Sequence, residues 1–193
     1  MKVLVVYAHP SEDSFTSKVR DTVIENLEKN GHEWVLSDLY KMGFKTDMSE
    51  EEYLREAYYK KDLPLAEDVK QEQEKIKECQ GIIFVYPVFW TEAPAKLVGW
   101  FDRVWTCGFA YEPCTMPQLD TVLFFAIAGN TLERLESHGF AQAMKKVMCK
   151  DRISTRAKKC ELHLLTETSR GMESREKLAP LHLERVAKRI KEL

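Results

Sequence analysis

The chain predicts a doubly wound α/β fold: a five-stranded parallel sheet in the order 2-1-3-4-5, with helices on both faces. Three observations carry that expectation. Residues 2–7 (KVLVVY), 82–86 (IIFVY) and 121–127 (TVLFFAI) are continuous apolar runs of strand length, the signature of strands buried on both faces. Strand-like and helix-like stretches alternate five times, which favours a parallel sheet. The loops 9–16, 87–93 and 128–132 each follow a strand and are each unusual in composition. In this strand order they converge at the carboxyl end of the sheet, beside the switch point between strands one and three.

Each element has its own local reason. After the first strand and a turn at 9–13, Ser14 can cap a helix in which Phe15, Val19, Val23 and Leu27 recur every fourth residue, and Gly31 ends it. The second strand is centred on 34–36. A long, charged connection from Tyr40 to Leu65 carries a short helix within SEEEYLREAYYK. Residues 66–79 form a helix with Val69, Ile76 and Cys79 inward. The third strand stops at Pro87, and Pro94 opens the next helix at its first turn, where a missing N–H costs nothing. The small-residue turn 128–131 ends the fourth strand and leads into another helix. Residues 160–165 are a fifth strand and 174–193 a closing amphipathic helix with Leu178, Leu183, Val186 and Ile190 inward. With no repeat or linker, residues 1–193 are expected to form one domain.

Composition narrows the class. Hydrophobic residues make up 44% and charged residues 31%, as in an ordinary globular chain. A net charge of −2 offers no electrostatic footprint for nucleic acid or an anionic membrane. No apolar run is long enough for membrane insertion, and the first strand begins almost at Met1, leaving no room for a leader, so a cytoplasmic protein is expected. The five cysteines show no CxxC spacing and are expected as thiols. Cys160 and His163 fall on opposite faces of a strand, and a metal is not expected there.

The converging loops suggest what the cleft holds. HPSEDSFT offers hydroxyls from Ser11, Ser14 and Thr16 with the N–H groups of a helix start, a phosphate-binding arrangement. Neither GxxxxGK nor GxGxxG occurs, which argues against a nucleotide triphosphatase and a Rossmann-type dinucleotide site. Backbone N–H groups around Phe89 and Trp90, and around Gly129 and Asn130, suit a planar polar ring, with Trp90 as a flat wall. Taken alone, Phe89 and Trp90 could equally fill core beneath the loop. A phosphoacceptor receiver domain would need an Asp at the end of strand three, where Tyr86 and Pro87 stand.

AHPSEDSFT after strand one, YPVFWTEAPAKLVGWFDRVW after strand three, GFAYE shortly afterwards and LSDLY at 36–40 together resemble the NAD(P)H:quinone oxidoreductases of the flavodoxin-like fold. The likeness runs from residue 1 to about residue 140. It implies a bound flavin, FAD or alternatively FMN, with His9, Ser14, Phe15 and Thr16 around the phosphates. It also implies Pro87, Val88, Phe89 and Trp90 along the ring edge, and Gly129 and Asn130 beside its pyrimidine side. By the same resemblance Trp90, Tyr111 and His138 are catalytic walls where nicotinamide and a quinone or similar planar acceptor stack in turn. The implied assembly is a homodimer with sites at the interface.

The implied chemistry is two-electron, ping-pong hydride transfer carried by the flavin, with the Gly129 turn or a protonated His138 meeting developing negative charge. One departure stands out. Relatives place a Tyr six residues before the family His, and here Leu132 occupies that position, so no Tyr–His relay is carried over. The length of the 40–65 connection and the position of Asp102 lean toward FAD. A one-electron flavodoxin-like carrier, or an ancillary flavoprotein of a membrane transporter, would use the same cleft.

Overall fold

The computed structural model describes residues 1–193. Strands β1 (Lys2–Tyr7), β2 (Glu33–Asp38), β3 (Gly81–Pro87), β4 (Leu119–Ile127) and β5 (Ala157–Leu165) form one sheet in the order β2-β1-β3-β4-β5. All pairings are parallel, with Val5 opposite Ile83, Ile83 opposite Leu123, and Phe124 opposite Leu162. The expected topology is therefore the observed one. β2, β4 and β5 are longer than the apolar runs indicate, because Glu33, Leu119 and the Ala157–Lys159 stretch pair with neighbouring strands although their composition is mixed.

Helices α1 (Phe15–Lys29) and α7 (Arg175–Lys191) cover one face; α3 (Glu67–Glu78) and α4 (Ala95–Val104) cover the other. Alternation along each strand divides the core. Val3, Val5, Tyr7, Ile83 and Phe125 pack under α1 and α7, whereas Leu4, Val6, Ile82, Phe84 and Phe124 pack under α3 and α4. On the second face the Phe84 and Phe124 rings stack at 4.7 Å, and Trp100 meets Phe84 edge-on. Cys160 joins this second face, and His163 stacks on Phe125 on the first, so the two side chains do point apart.

α1 starts where expected: the Ser14 hydroxyl accepts the Ser17 N–H at 2.9 Å, and Ser17 Oγ accepts the Ser14 N–H at 3.2 Å. Its end at Asn30 is followed by Gly31 at φ +73°, a conformation natural to glycine. Pro94 is the cap of α4 and Ala95 its first residue, one position from expectation. The charged connection contains α2 (Glu50–Ala57), capped by Ser49. It lies close on α4 because Gly99 has no side chain: a Cβ there would stand 2.4 Å from the Thr46 carbonyl oxygen. Arg103 of α4, almost wholly buried, fastens it through Glu52 and the Lys45 carbonyl and pairs with Asp68 of α3 as well. Beyond β4, α5 (Leu132–Ser137) and α6 (Phe140–Lys145) run into a π-helical stretch, Lys146–Ile153. No helix is long and apolar enough to cross a membrane.

Candidate functional site

The carboxyl ends of β1, β3, β4 and β5 open onto one cleft of about 410 Å3. Of the residues expected to hold a cofactor, His9, Ser14, Phe15, Thr16, Pro87, Val88, Phe89, Gly129 and Asn130 line it, and Trp90 does not. It adjoins a second cleft of about 830 Å3 between the start of α1, residues 170–176 and α7, with Asp13, Ser14, Phe15, Arg170 and Arg175 common to both.

Backbone donors define what the first cleft can take. In α1, the Ser17 N–H is spent on the Ser14 hydroxyl and the Lys18 N–H on the Ser14 carbonyl, but the Phe15 and Thr16 N–H groups meet no acceptor in the chain. These free donors lie at the positive end of a fifteen-residue helix, a setting that stabilises an anion. Gly129 and Asn130 N–H groups are likewise free, while Ala128 N–H is bonded to Leu165 O. Phe89 differs from expectation: its N–H is used by the Glu92 carbonyl at 2.8 Å, so on that loop only Trp90 and Thr91 have N–H groups left over. At His9, Nδ1 lies 3.0 Å from the Ser11 N–H and 2.9 Å from the Ser11 carbonyl, and Nε2 has no partner in the chain. The set of free donors beside an anion-favouring helix end, along a cleft with apolar walls at Phe15, Val88 and Phe89, fits a phosphate-bearing planar ring.

The Phe89–Glu92 turn has a distinctive geometry. Phe89 and Glu92 exchange both backbone hydrogen bonds, and Trp90 and Thr91 between them have φ of 52° and 67°. A bulky aromatic and a β-branched residue rarely take that conformation, and strain of this kind concentrates at ligand sites. The turn is held by Glu92, whose carboxylate accepts the Ala93 N–H at 2.7 Å and pairs with Arg152 at 3.1 Å. Its effect is to carry Trp90 fully into solvent, 100% exposed, with Phe89 half exposed. Neither residue fills core.

The other two expected catalytic residues lie outside the cleft. Tyr111 donates its hydroxyl to Glu56 at 2.6 Å, and the same carboxylate oxygen accepts the Cys107 N–H at 2.6 Å. Burial, then the Glu56 carboxylate, pushes the Tyr111 phenol well above its ordinary range. His138 ends α5 and stands exposed; its Nδ1 lies 3.0 Å from the Arg134 carbonyl, and its ring stacks on Phe140 at 5.4 Å. It is the residue that caps the carboxyl end of α5.

The segment after β5 supplies residues that sequence reasoning missed. Thr168, Ser169, Arg170 and Arg175 line the cleft with the others. Glu167 N–H donates to Asn130 O at 3.0 Å, and Thr168 N–H and Oγ1 both donate to Ala128 O, so this segment closes onto the β4 turn. Gly129 permits the contact, since a Cβ there would lie 2.2 Å from Ser169 Oγ. The cluster of hydroxyls in TETSRG directly after a strand was the available signal.

A family model for the flavodoxin-like fold matches residues 1–187. In structure, the chain superposes on the NAD(P)H:quinone oxidoreductase of Methanothermobacter marburgensis with a TM-score of 0.93 and 37% identity, covering 99% of this chain and 94% of that one. Among curated relatives, ribosyldihydronicotinamide dehydrogenase (quinone) of Rattus norvegicus is 38% identical over 125 residues, 58% of this chain and 54% of its own length. NAD(P)H dehydrogenase (quinone) 1 of the same organism is 35% identical over 130 residues, 60% of this chain and 47% of its own. The chain spans about half the length of the curated relatives it matches. It belongs to the flavodoxin-like family and, within that family, groups with the NAD(P)H:quinone oxidoreductases.

Proposed function

We propose that this chain is a flavin-dependent NAD(P)H oxidoreductase that reduces quinones or similar planar acceptors by two electrons in ping-pong turnover. Residues 1–193 act as one flavin-binding domain within a cytoplasmic homodimer. The observation that carries the reading is the set of free backbone donors, Phe15 and Thr16 at one end of the cleft and Gly129 and Asn130 at the other. They are spaced along the strand ends of a chain 37% identical to a quinone oxidoreductase over nearly its whole length.

The protein's part is to bind, orient and exclude. Phe15 and Thr16 N–H groups take phosphate charge, with the unpartnered His9 Nε2 beside them. Pro87, Val88 and Phe89 border the ring, and the Gly129 and Asn130 N–H groups face anionic charge on it; fixed donors of this sort stabilise such charge without reorganisation. A bound flavin supplies the hydride-carrying centre that accepts from NAD(P)H and delivers to the acceptor. Trp90 offers an unobstructed aromatic face against which nicotinamide and acceptor stack in turn. Tyr111, its hydroxyl committed to Glu56, contributes a ring face from the neighbouring subunit, and His138 a donor at the rim. Of the two flavins we favour FAD, because the cleft continues into the 830 Å3 cavity at the wall where Arg170 and Arg175 stand, giving a second phosphate and an adenosine a place.

Purified protein is expected to be yellow, to oxidise NAD(P)H with menadione, and to give parallel steady-state lines. Colourless protein that cannot be reconstituted with flavin would sink the reading, and intersecting lines would remove the shared-pocket mechanism. Extraction of the flavin followed by mass measurement decides its form: FMN alone would overturn the FAD assignment. Light scattering reads the oligomer.

A further inference from the structure

We propose that His182 is a positioning residue that, as a neutral imidazole, latches the cleft-lining segment after β5 in place, and that protonation releases the latch. His182 lies on α7, 4% exposed, with Nε2 2.8 Å from the Thr166 carbonyl. A carbonyl only accepts, so Nε2 carries the proton and Nδ1 does not. Nδ1 is buried and has no partner. The ring also packs against Phe15, centroids 6.2 Å apart, the residue that begins α1 and walls both clefts.

The carbonyl it holds stands at the hinge of that segment. Thr166 is followed by Glu167 at φ +58°, a left-handed residue that turns the chain toward the β4 turn. From there Glu167 and Thr168 bond to Asn130 and Ala128, and Ser169 seats against Gly129. One side chain thus ties α7 to the loop and to the start of α1, the elements that supply Thr168, Arg170, Arg175 and the free Phe15 and Thr16 donors.

The charge requirement follows from the surroundings. The charged groups facing His182 are Arg185 on its own helix and Glu167 on the loop; α1 presents only Phe15. Burial holds the imidazole below its ordinary 6.5; the Thr166 bond and Glu167 oppose that, and Arg185 adds to it. A protonated ring would bury an Nδ1–H with no acceptor, at a cost the closed segment cannot offset. With the segment open, the ring is solvated and titrates near 6.5. Closure is therefore complete above that pH and weakens by about a decade per pH unit below it, until the closed-state value is reached.

Amide exchange reads this directly. The Glu167 and Thr168 amides, corrected for intrinsic rate, are expected to lose protection by up to about tenfold between pH 7.5 and 5.5, while those of Val5 and Ile83 do not. His182→Gln keeps a donor for Thr166 O without a titrating group, so its protection should be flat across that range. His182→Leu should exchange fast at both pH values. Protection in the wild type that ignores pH, or a His182→Gln variant that loses it as the wild type does, overturns the latch. The consequence for the cofactor, weaker flavin retention in acid, rests on the function proposed above. Running the exchange with and without FAD separates the two: the expected pattern in protein that binds no flavin keeps the latch and removes the flavin reading, whereas tight flavin binding with pH-independent exchange does the reverse.

Discussion

The cofactor cleft and the Trp90, Tyr111, His138 set are built in opposite ways. The cleft residues sit at strand ends, in the first turn of a helix or in the loops directly between them, positioned by hydrogen bonds within a single chain. The other three are scattered: Trp90 in full solvent, Tyr111 committed to Glu56 beside α2, His138 on the exposed end of α5. The fold itself makes the first site, because parallel strand ends at a switch point leave free donors in any such sheet. Of the second set only Trp90 has an aromatic face with nothing packed on it, which suits a surface that meets something outside the chain, whereas Tyr111 meets Tyr59 edge-on and His138 stacks on Phe140.

The sharpest way to break that contrast is at Glu56. Its carboxylate holds Tyr111 and Cys107 and pairs with Arg55, a side chain only 5% exposed whose other donors go to the Lys61, Leu63 and Cys107 carbonyls. Glu56→Leu leaves that guanidinium buried without its counter-charge and should cost about 3–5 kcal/mol in denaturant unfolding. A loss below about 1 kcal/mol would mean that Tyr111 sits on a loose surface loop, free to join the cleft.

Within the cleft, Gly129→Val tests whether the floor is as closely fitted as it looks. A side chain there displaces Ser169, whose Oγ lies 2.2 Å from the position of a Cβ. Because that hydroxyl belongs to an exposed serine and can swing aside, stability should move by no more than about 1 kcal/mol, whereas flavin titration should show affinity falling about tenfold or more as the added side chain enters the cleft, about 1.4 kcal/mol being a decade. Unchanged affinity would show that the 167–170 segment is not part of the site. Ser14→Ala comes next: losing the cap of α1 should lower stability by about 1 kcal/mol, with a loss of flavin affinity larger than any change at the distant Ser49 cap of α2.

How legible this was in the sequence depends on where the determining information resides. Ser14, Gly31 and the apolar runs of β1, β3 and β4 act through neighbours in sequence, so topology and most of the cleft could be read from them. Arg55 and Arg103 could not. A charged residue looks solvated until distant groups arrive to pair with it, as Glu52 and Asp68 do for Arg103 and the Cys107 carbonyl does for Arg55. Residues 168–170 and the Arg175 that faces them have no periodic pattern, and what places them is hydrogen bonding to the β4 turn across forty residues. Trp90 shows the limit in another form: its motif located it at the ligand end, but only the left-handed turn reveals that it faces outward.

That outward face makes Trp90→Ala the most discriminating change with the smallest effect on the fold. A side chain that is 100% exposed has no packing to lose, so stability should move by no more than about 0.5 kcal/mol. Relief of the left-handed strain does not follow, because alanine has the same backbone to accommodate at φ 52°. If the indole is the wall on which nicotinamide and acceptor stack, menadione turnover should fall by about tenfold or more while bound flavin is retained, since a stacking contact worth about 1–1.5 kcal/mol corresponds to roughly that factor. Equal turnover in the variant would make Trp90 an ornament of the turn and move the acceptor site elsewhere. Loss of flavin together with turnover would instead join Trp90 to the cleft set, and the division between a site built by one chain and surfaces that await another would disappear.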